Sequence, residues 1–181
     1  MEKVWTKRAA PASARVQTLV MTGLLTALAC IATLVIHVAS PTGGYLNLGD
    51  TVVLLGAYLL GPWYGALAAG LGSALADILS GAAIYAPATL VIKAAMAVLA
   101  GLLYRKLRGS AAGAILCGAA GELPMLAGYW LYDALLLRSF AGAAAGVPSN
   151  LVQAGFGIAV SVFLTAALRK SRYVRDRFPG L

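Results

Sequence analysis

Residues 45–93 are almost wholly apolar yet carry Asp50, Asp77 and Lys93. An ionisable side chain at membrane depth costs a few kcal/mol or more, so it usually faces a polar cavity or pairs with another charge, and it marks a ligand or ion path. The rest of the chain reads as the wall around such a cavity. Composition supports the bilayer as solvent: 61% of residues are hydrophobic, 11% are charged and the mean hydropathy is +0.85, outside the range of soluble domains. A helical crossing takes about 20 apolar residues, so 181 residues leave room for roughly six crossings and no separate soluble domain.

Read in order, residues 1–15 form a basic tail, residues 16–170 a single membrane domain and residues 171–181 a second basic tail. The first apolar run is too long for a signal-peptide core and lacks a small-residue cleavage site, so it is expected to stay attached as a helix over Val16–Val38. Ser40-Pro41-Thr42-Gly43-Gly44 stops it, because proline cannot donate a backbone hydrogen bond and paired glycines favour turns; residues 39–48 are read as a loop. A short second helix starts near Asn47–Asp50 and breaks at Gly61-Pro62. A third, rich in Gly, Ala and Ser, covers about Trp63–Leu79. Pro87 suits the start of a fourth, which ends in Arg105, Lys106 and Arg108. The fifth covers Ala111–Leu137 with a kink at Pro124, Gly142–Ser149 is a loop, and the sixth covers Asn150–Leu168. The fold class is thus an all-α integral membrane bundle of six transmembrane helices.

Charge placement orients this bundle. With both termini cytoplasmic, the inner segments hold twelve of the fourteen Lys and Arg residues, and only Lys93 and Arg138 lie elsewhere. That asymmetry fits the positive-inside rule, and Trp63 and Tyr64 suit an interfacial aromatic belt. The net charge of +8 is therefore a matter of topology, not of nucleic-acid binding. The outer helix ends in turn gather Asn47, Asp50, Asp77, Tyr85, Lys93, Trp130, Asp133, Asn150 and Gln153, a mixed polar set that the inner ends lack.

A structural reading of the same residues stands beside the functional one. Asp50 could cap the second helix, Asp77 could pair with Lys93, and Asp133 with Arg138. Glu122 shares a helix face with Tyr129 and Asp133; it is either functional or an acid hydrogen-bonded to a neighbouring helix. The aromatics Tyr45, Tyr85, Tyr129 and Trp130 could close over a flat ring or anchor the outer interface. Cys30 and Cys117 read as small apolar residues, and His37 as interfacial packing, since no other ligand stands at metal spacing. No metal and no cofactor is expected.

The stretch from Gly43 to Leu103, GGYLNLGDTVVLLGAYLLGPWYGALAAGLGSALADILSGAAIYAPATLVIKAAMAVLAGLL, resembles the substrate-binding S components of energy-coupling factor (ECF) vitamin transporters, in particular the riboflavin-type group that includes hydroxymethylpyrimidine and pyridoxine transporters. The resemblance is looser in the last two helices. It implies a small bundle in a prokaryotic cytoplasmic membrane that captures a vitamin or precursor at the outer side, under the loop joining helices one and two. It also implies a partner module of a membrane T subunit and two ATPases, docked on a small-residue strip of helix one. The positions that match are Gly23 and Ala27, with Ala29 and Ala32 nearby; Gly stands where the family strip begins with Ala.

The chain has no G-x-x-x-x-G-K-[ST] sequence to cradle ATP phosphates, so energy would come from the partner. The expected ligand is a neutral heteroaromatic such as hydroxymethylpyrimidine or a pyridoxine-type vitamer, bound by the outer polar set with Tyr85 and Trp130 stacking on the ring. Riboflavin is the runner-up. Two other classes remain open at this point: an intramembrane enzyme using Glu122 and Asp133 as acid and base, which lacks a nucleophile elbow or metal motif, and a homo-oligomeric pore packed through its Gly and Ala strips.

Overall fold

A computed structural model describes residues 12–36, 38–42, 45–107, 110–178 and 181; the expectations for His37 and for the first eleven residues lie outside these. The first apolar run forms α1, Ala12–Val35. It starts earlier than expected and stops earlier too, because Val38–Ala39 is drawn into a short strand, β1, paired antiparallel with β2, Tyr45–Leu46. What reads as a plain loop is thus a small hairpin over one end of the bundle.

The next segment, α2, spans Gly49–Leu79 and is broken at Gly61, whose φ of 79° and ψ of −178° no helix contains. Glycine is suited to this backbone, since a Cβ is disfavoured at positive φ. Pro62 follows and restarts the helix. The two arms fold back on each other: a Cβ placed on Gly65 would lie 2.8 Å from the Ala57 Cα, whereas eight residues of one straight helix would separate them by about 12 Å. Side-chain-free surface at Gly65 is what allows the two backbones to touch.

Three further long helices complete the wall: α3, Ala86–Leu107, α4, Ala111–Leu137, and α6, Val147–Lys170. Ser110 caps α4 by accepting from the Gly113 N–H at 3.0 Å, the usual device for an orphan helix donor. Gly142–Ser149, expected as a loop, is instead helical, taking in the end of a single helical turn, α5, Phe140–Ala143, a 3-10 turn, Ala144–Gly146, and the first residues of α6. After α6 comes α7, Arg172–Arg177.

The core is built where α2, α3, α4 and α6 meet, around Leu54, Tyr58, Met96, Ala97, Tyr104, Cys117 and Met125. Tyr58 and Tyr104 stack at 4.1 Å, the Tyr58 hydroxyl donates to the Ala114 carbonyl at 2.9 Å, and Arg169 donates to the Tyr104 hydroxyl at 2.7 Å. α1 packs on α2 through Leu25 and Ala29 and turns Val16, Leu19, Val20, Leu24, Leu28 and Ile31 outward. Apolar side chains on the outside and polar ones within is the arrangement lipid demands. Among the described residues, five segments are long and apolar enough to cross a membrane, and the chain is an integral membrane protein.

Candidate functional site

At the hairpin end of the bundle the helices line a small cleft, part of it open to the outside. The hairpin supplies Ser40, Thr42 and Tyr45; Asn47 and Asp77 come from the two ends of α2 and its approach, Tyr85 and Thr89 from the start of α3, Tyr129 and Asp133 from α4, and Asn150 from α6. Each carboxylate in this lining is held by a phenol. The Tyr45 hydroxyl donates to Asp77 Oδ1, and the Tyr85 hydroxyl donates to Asp133 Oδ1 at 2.9 Å. Burial and the adjoining carboxylate push both phenols well above their usual range, so both remain neutral donors.

Tyr85 also approaches the Thr42 carbonyl at 3.3 Å, and the Ser40 and Ser149 hydroxyls lie 3.2 Å apart. The hairpin is therefore fastened to α3 and α6 by polar contacts around the rim. On the far wall Thr89 and Tyr129 share a hydrogen bond of 3.0 Å.

Beneath the cleft lies a second layer. Lys93, 1% exposed, pairs with Asp50 Oδ1, and Gln153 donates to Asp50 Oδ2 at 2.6 Å. Gln153 Oε1 in turn accepts the Asn47 backbone N–H at 2.8 Å. One side chain from each of α2, α3 and α6 thus locks the floor, which also supports the cleft wall through the Lys93 ammonium 5.4 Å from the Tyr129 ring. Glu122 is 2% exposed, and among the described residues neither of its oxygens has a hydrogen-bond partner. It faces Gly157 of α6, where a Cβ would lie 3.2 Å from Glu122 Oε1 and 2.9 Å from the Asp50 Cβ.

Several pairings expected from sequence are replaced. Lys93 binds Asp50, not Asp77, which lies at the end of the other arm of α2 and accepts from the Tyr45 hydroxyl. Asp50 does not cap that helix, whose N-cap is Leu48 without a side-chain cap; Asn47 Oδ1, just ahead of it, accepts the Gly49 N–H at 2.8 Å. Asp133 meets Tyr85 and not Arg138, which ends α4 in a left-handed conformation with φ 50°. Of the expected ligand set, Asn47, Asp77, Tyr85, Asp133 and Asn150 line the cleft, whereas Asp50, Lys93 and Gln153 lie under it. Trp130 is outside: its indole donates to the Phe140 carbonyl at 3.3 Å and packs against the Phe140 ring. The aromatic walls are tyrosines instead. Ser40, Thr42 and Thr89 join the lining without any signal in the sequence.

The strip expected on α1 divides between two faces. Gly23 and Ala27 are exposed, four residues apart on the outer side, while Ala29 is buried and Ala32 packs with it against α2. Among the described residues no three His, Cys, Asp or Glu side chains converge as metal ligands.

Residues 13–170 match the sequence profile of the ECF-type riboflavin transporter, S component. The chain belongs to this S-component family. A Pyrococcus woesei protein described as "uncharacterized protein in gap 3'region" is 37% identical over 142 residues, which is 77% of this chain and 93% of that protein. Two solved structures share the fold. The S component of a bacterial ECF transporter superposes with a TM-score of 0.67 at 18% identity, over 86% of this chain and 97% of that one. The S-component for biotin from an ECF-type ABC transporter gives 0.62 at 17%, over 94% and 100%. The S-component fold thus accounts for the whole helical domain, and the family is a transporter component and not an enzyme.

Proposed function

We propose that this S component captures a small heteroaromatic vitamin or vitamin precursor, of hydroxymethylpyrimidine or pyridoxine type, in the cleft beneath the hairpin. One observation carries the reading: three tyrosines surround the cleft together with Asp77, Asp133, Asn47 and Asn150. Rings with a few placed polar groups are what hold a flat polar heterocycle. The hairpin, fastened by side chains at its rim, is the part that opens to admit the ligand and closes to exclude water.

The supporting chemistry differs from that of a direct ligand contact at Lys93. That lysine and Asp50 neutralise each other below the floor, so they hold the wall in place while the residues above them meet the ligand. Riboflavin is the second reading, favoured by the description of the matching family.

Delivery follows the plan of the family: association with a T subunit and two ATPase subunits in a prokaryotic cytoplasmic membrane. Gly23 and Ala27 are the strip we assign to that contact, because small exposed residues permit close and reversible helix packing in lipid. The two arms of α2 are taken as separate crossings, which gives six in all with both termini inside.

The experiment is mass spectrometry of compounds released from the protein purified in mild detergent, then calorimetric titration with hydroxymethylpyrimidine, pyridoxine and riboflavin. Calorimetry is preferred to indole fluorescence because Trp130 lies outside the cleft. A stoichiometric heterocycle whose binding is lost in Asp77→Ala supports the reading. Saturable binding of riboflavin alone transfers it to the runner-up, and binding of none of the three overturns the vitamin-capture reading.

A further inference from the structure

We propose that the basic end of the molecule, opposite the cleft, is a docking surface for anionic phospholipid headgroups, centred on α7. The inference concerns the far end of the bundle and is independent of which ligand the cleft takes.

The chain turns at Ser171, whose ψ of 121° ends α6 and starts a separate helix. Were α6 to continue as one rod, the residues after Lys170 would run on along its axis, away from the bundle. Instead α7 reaches the start of α1, where Arg177 donates to Gln17 Oε1 at 2.9 Å.

Burial divides this short helix into two sides. Val174 and Phe178, joined by a backbone hydrogen bond of 2.7 Å, are half-buried, while Arg172, Tyr173, Arg175 and Arg177 are exposed. Tyr173 is 67% exposed, with the Arg177 guanidinium 5.8 Å from its ring centroid. An apolar side turned to the bundle, with basic side chains and an aromatic turned out, suits a helix lying at a headgroup surface.

The chain itself cannot balance the charge gathered here. Arg169, Lys170, Arg172, Arg175 and Arg177 follow closely, and Arg105 and Lys106 end α3 at the same level. Of the six acidic residues in the sequence, Asp50, Asp77, Glu122 and Asp133 belong to the cleft and the layer beneath it, so Glu2 and Asp176 are the acids left. That count covers all 181 residues, so at most these two acidic side chains face the bases. Where these arginines have a fixed partner, it is neutral: the Tyr104 hydroxyl for Arg169 and Gln17 for Arg177. Among the described residues the one ion pair is Lys93 with Asp50, far below the cleft rim and outside this cluster.

A basic cluster directly following a membrane helix attracts acidic lipid, each Lys or Arg near the surface adding about a fivefold preference. The guanidinium fork matches phosphate oxygens as well. Zwitterionic headgroups offer the same phosphate without net charge, so net charge is what this surface discriminates. Because α7 bridges the end of α6 and the start of α1, headgroups held on it anchor both helices at that surface.

The probe is a single tryptophan quenched by phospholipids brominated in their acyl chains, phosphatidylglycerol against phosphatidylcholine. The sequence has three tryptophans. Trp5→Phe, Trp63→Phe and Trp130→Phe combined with Tyr173→Trp place the one indole on α7. A control with Trp5→Phe and Trp63→Phe keeps Trp130, which packs on Phe140 at the cleft end. With both full-length proteins in vesicles at low ionic strength, quenching on α7 is expected to favour the anionic lipid at least about tenfold, against no more than about twofold at Trp130. Rising salt should erode the preference. Adding Arg172→Gln, Arg175→Gln and Arg177→Gln, all at exposed positions, should remove most of it. Native mass spectrometry of lipid retained by the unsubstituted protein from an equimolar mixture makes the same comparison without a variant, and enrichment of the anionic lipid is expected.

Equal quenching by the two lipids on α7, with no enrichment on the unsubstituted protein, overturns the proposal and leaves the basic face to an acidic protein. An equal preference at Trp130 overturns the assignment to this end. A preference untouched by salt or by the three glutamine substitutions overturns the role of α7.

Discussion

Lys93 illustrates how a single buried charge is decided by its partner. Its ammonium and the Asp50 carboxylate are both nearly inaccessible, so removing one leaves the other uncompensated in a medium that cannot solvate it. Lys93→Met is therefore expected to destabilise the protein by about 3–5 kcal/mol, whereas Lys93→Met combined with Asp50→Leu should recover most of that loss. Unfolding in detergent, followed by circular dichroism, measures both. A single variant no less stable than the double would contradict the pairing. Glu122 behaves oppositely, since among the described residues its oxygens have no partner to lose. Glu122→Met is expected to be neutral or to stabilise by about 1–3 kcal/mol, the penalty of an unsatisfied buried polar group; strong destabilisation in the same assay would show that the carboxyl has a partner. The phenols of Tyr45 and Tyr85 give a prediction in pH. Their folded values are raised, so their contribution is complete below the ordinary phenol range near about 10 and is lost only as pH rises through the raised values. Ligand binding should therefore show no phenol titration between pH 7 and 9, and a tyrosinate absorbance step in that window that tracks loss of binding would refute the assignment. Asn47, Asp77, Tyr85, Asp133 and Asn150 are legible as cleft residues because polar groups in an apolar run need a reason. Their partners are not legible, because whether Lys93 meets Asp50 or Asp77 depends on helix rotation. Ser40, Thr42 and Thr89 are ordinary residues for a turn or a helix start and give no warning.

At the level of elements, the break in α2 controls the fold. Gly61 and Pro62 announce it in sequence, since one supplies positive φ and the other cannot continue the preceding hydrogen-bond ladder. The fold-back itself depends on the small residues that follow. A side chain at Gly65 would collide with the Ala57 backbone at 2.8 Å, and one at Gly72 would run still closer into the Thr26 carbonyl of α1, with the Ala29 Cβ at 2.9 Å. Gly65→Val is expected to be the more damaging of the two, because its obstacle is backbone within the same hairpin while α1 can shift outward toward lipid. Overpacking of this kind costs about 1–3 kcal/mol or more; equal unfolding midpoints for Gly65→Val and the parent protein would mean that the arms do not touch. The hairpin β1–β2 escapes sequence reading because two-residue strands have no periodicity to detect. The turn of helix at Phe140–Ala143 escapes it because Gly and Ala without a strong breaker permit either state. Ala29 shows the same limit on α1: small residues mark a contact face without saying which neighbour makes the contact.

For the whole molecule, the decisive question is how many times the chain crosses the bilayer, since an odd and an even count place the termini differently. If α2 crosses once as a continuous rod, five crossings put the two ends on opposite sides. If its arms are two crossings, six put them together. Three contacts bring basic groups to one end of the bundle: the Arg105 Nη2 lies 3.0 Å from the Cβ position of Gly61, Arg169 donates to Tyr104, and Arg177 donates to Gln17 at 2.9 Å. The α2 turn, the end of α3, the end of α6 and the start of α1 therefore share one level, opposite the cleft. Basic residues gather on the cytoplasmic side, so the orientation we propose has the cleft opening outward and both ends of the chain inside. Fusion of a phosphatase reporter, active only outside, and a fluorescent protein, active only inside, to the C-terminus is expected to give fluorescence without phosphatase activity; an epitope tag at the N-terminus should resist labelling in intact cells. Gly61→Ala strains the turn by roughly 1–3 kcal/mol, since positive φ with extended ψ is a region kept almost wholly for glycine, but the basic clusters remain, so the C-terminal reporter should stay inside. A C-terminus found outside with the N-terminus inside would require α2 to cross as one rod, and the outward cleft would then lose its floor of paired charges.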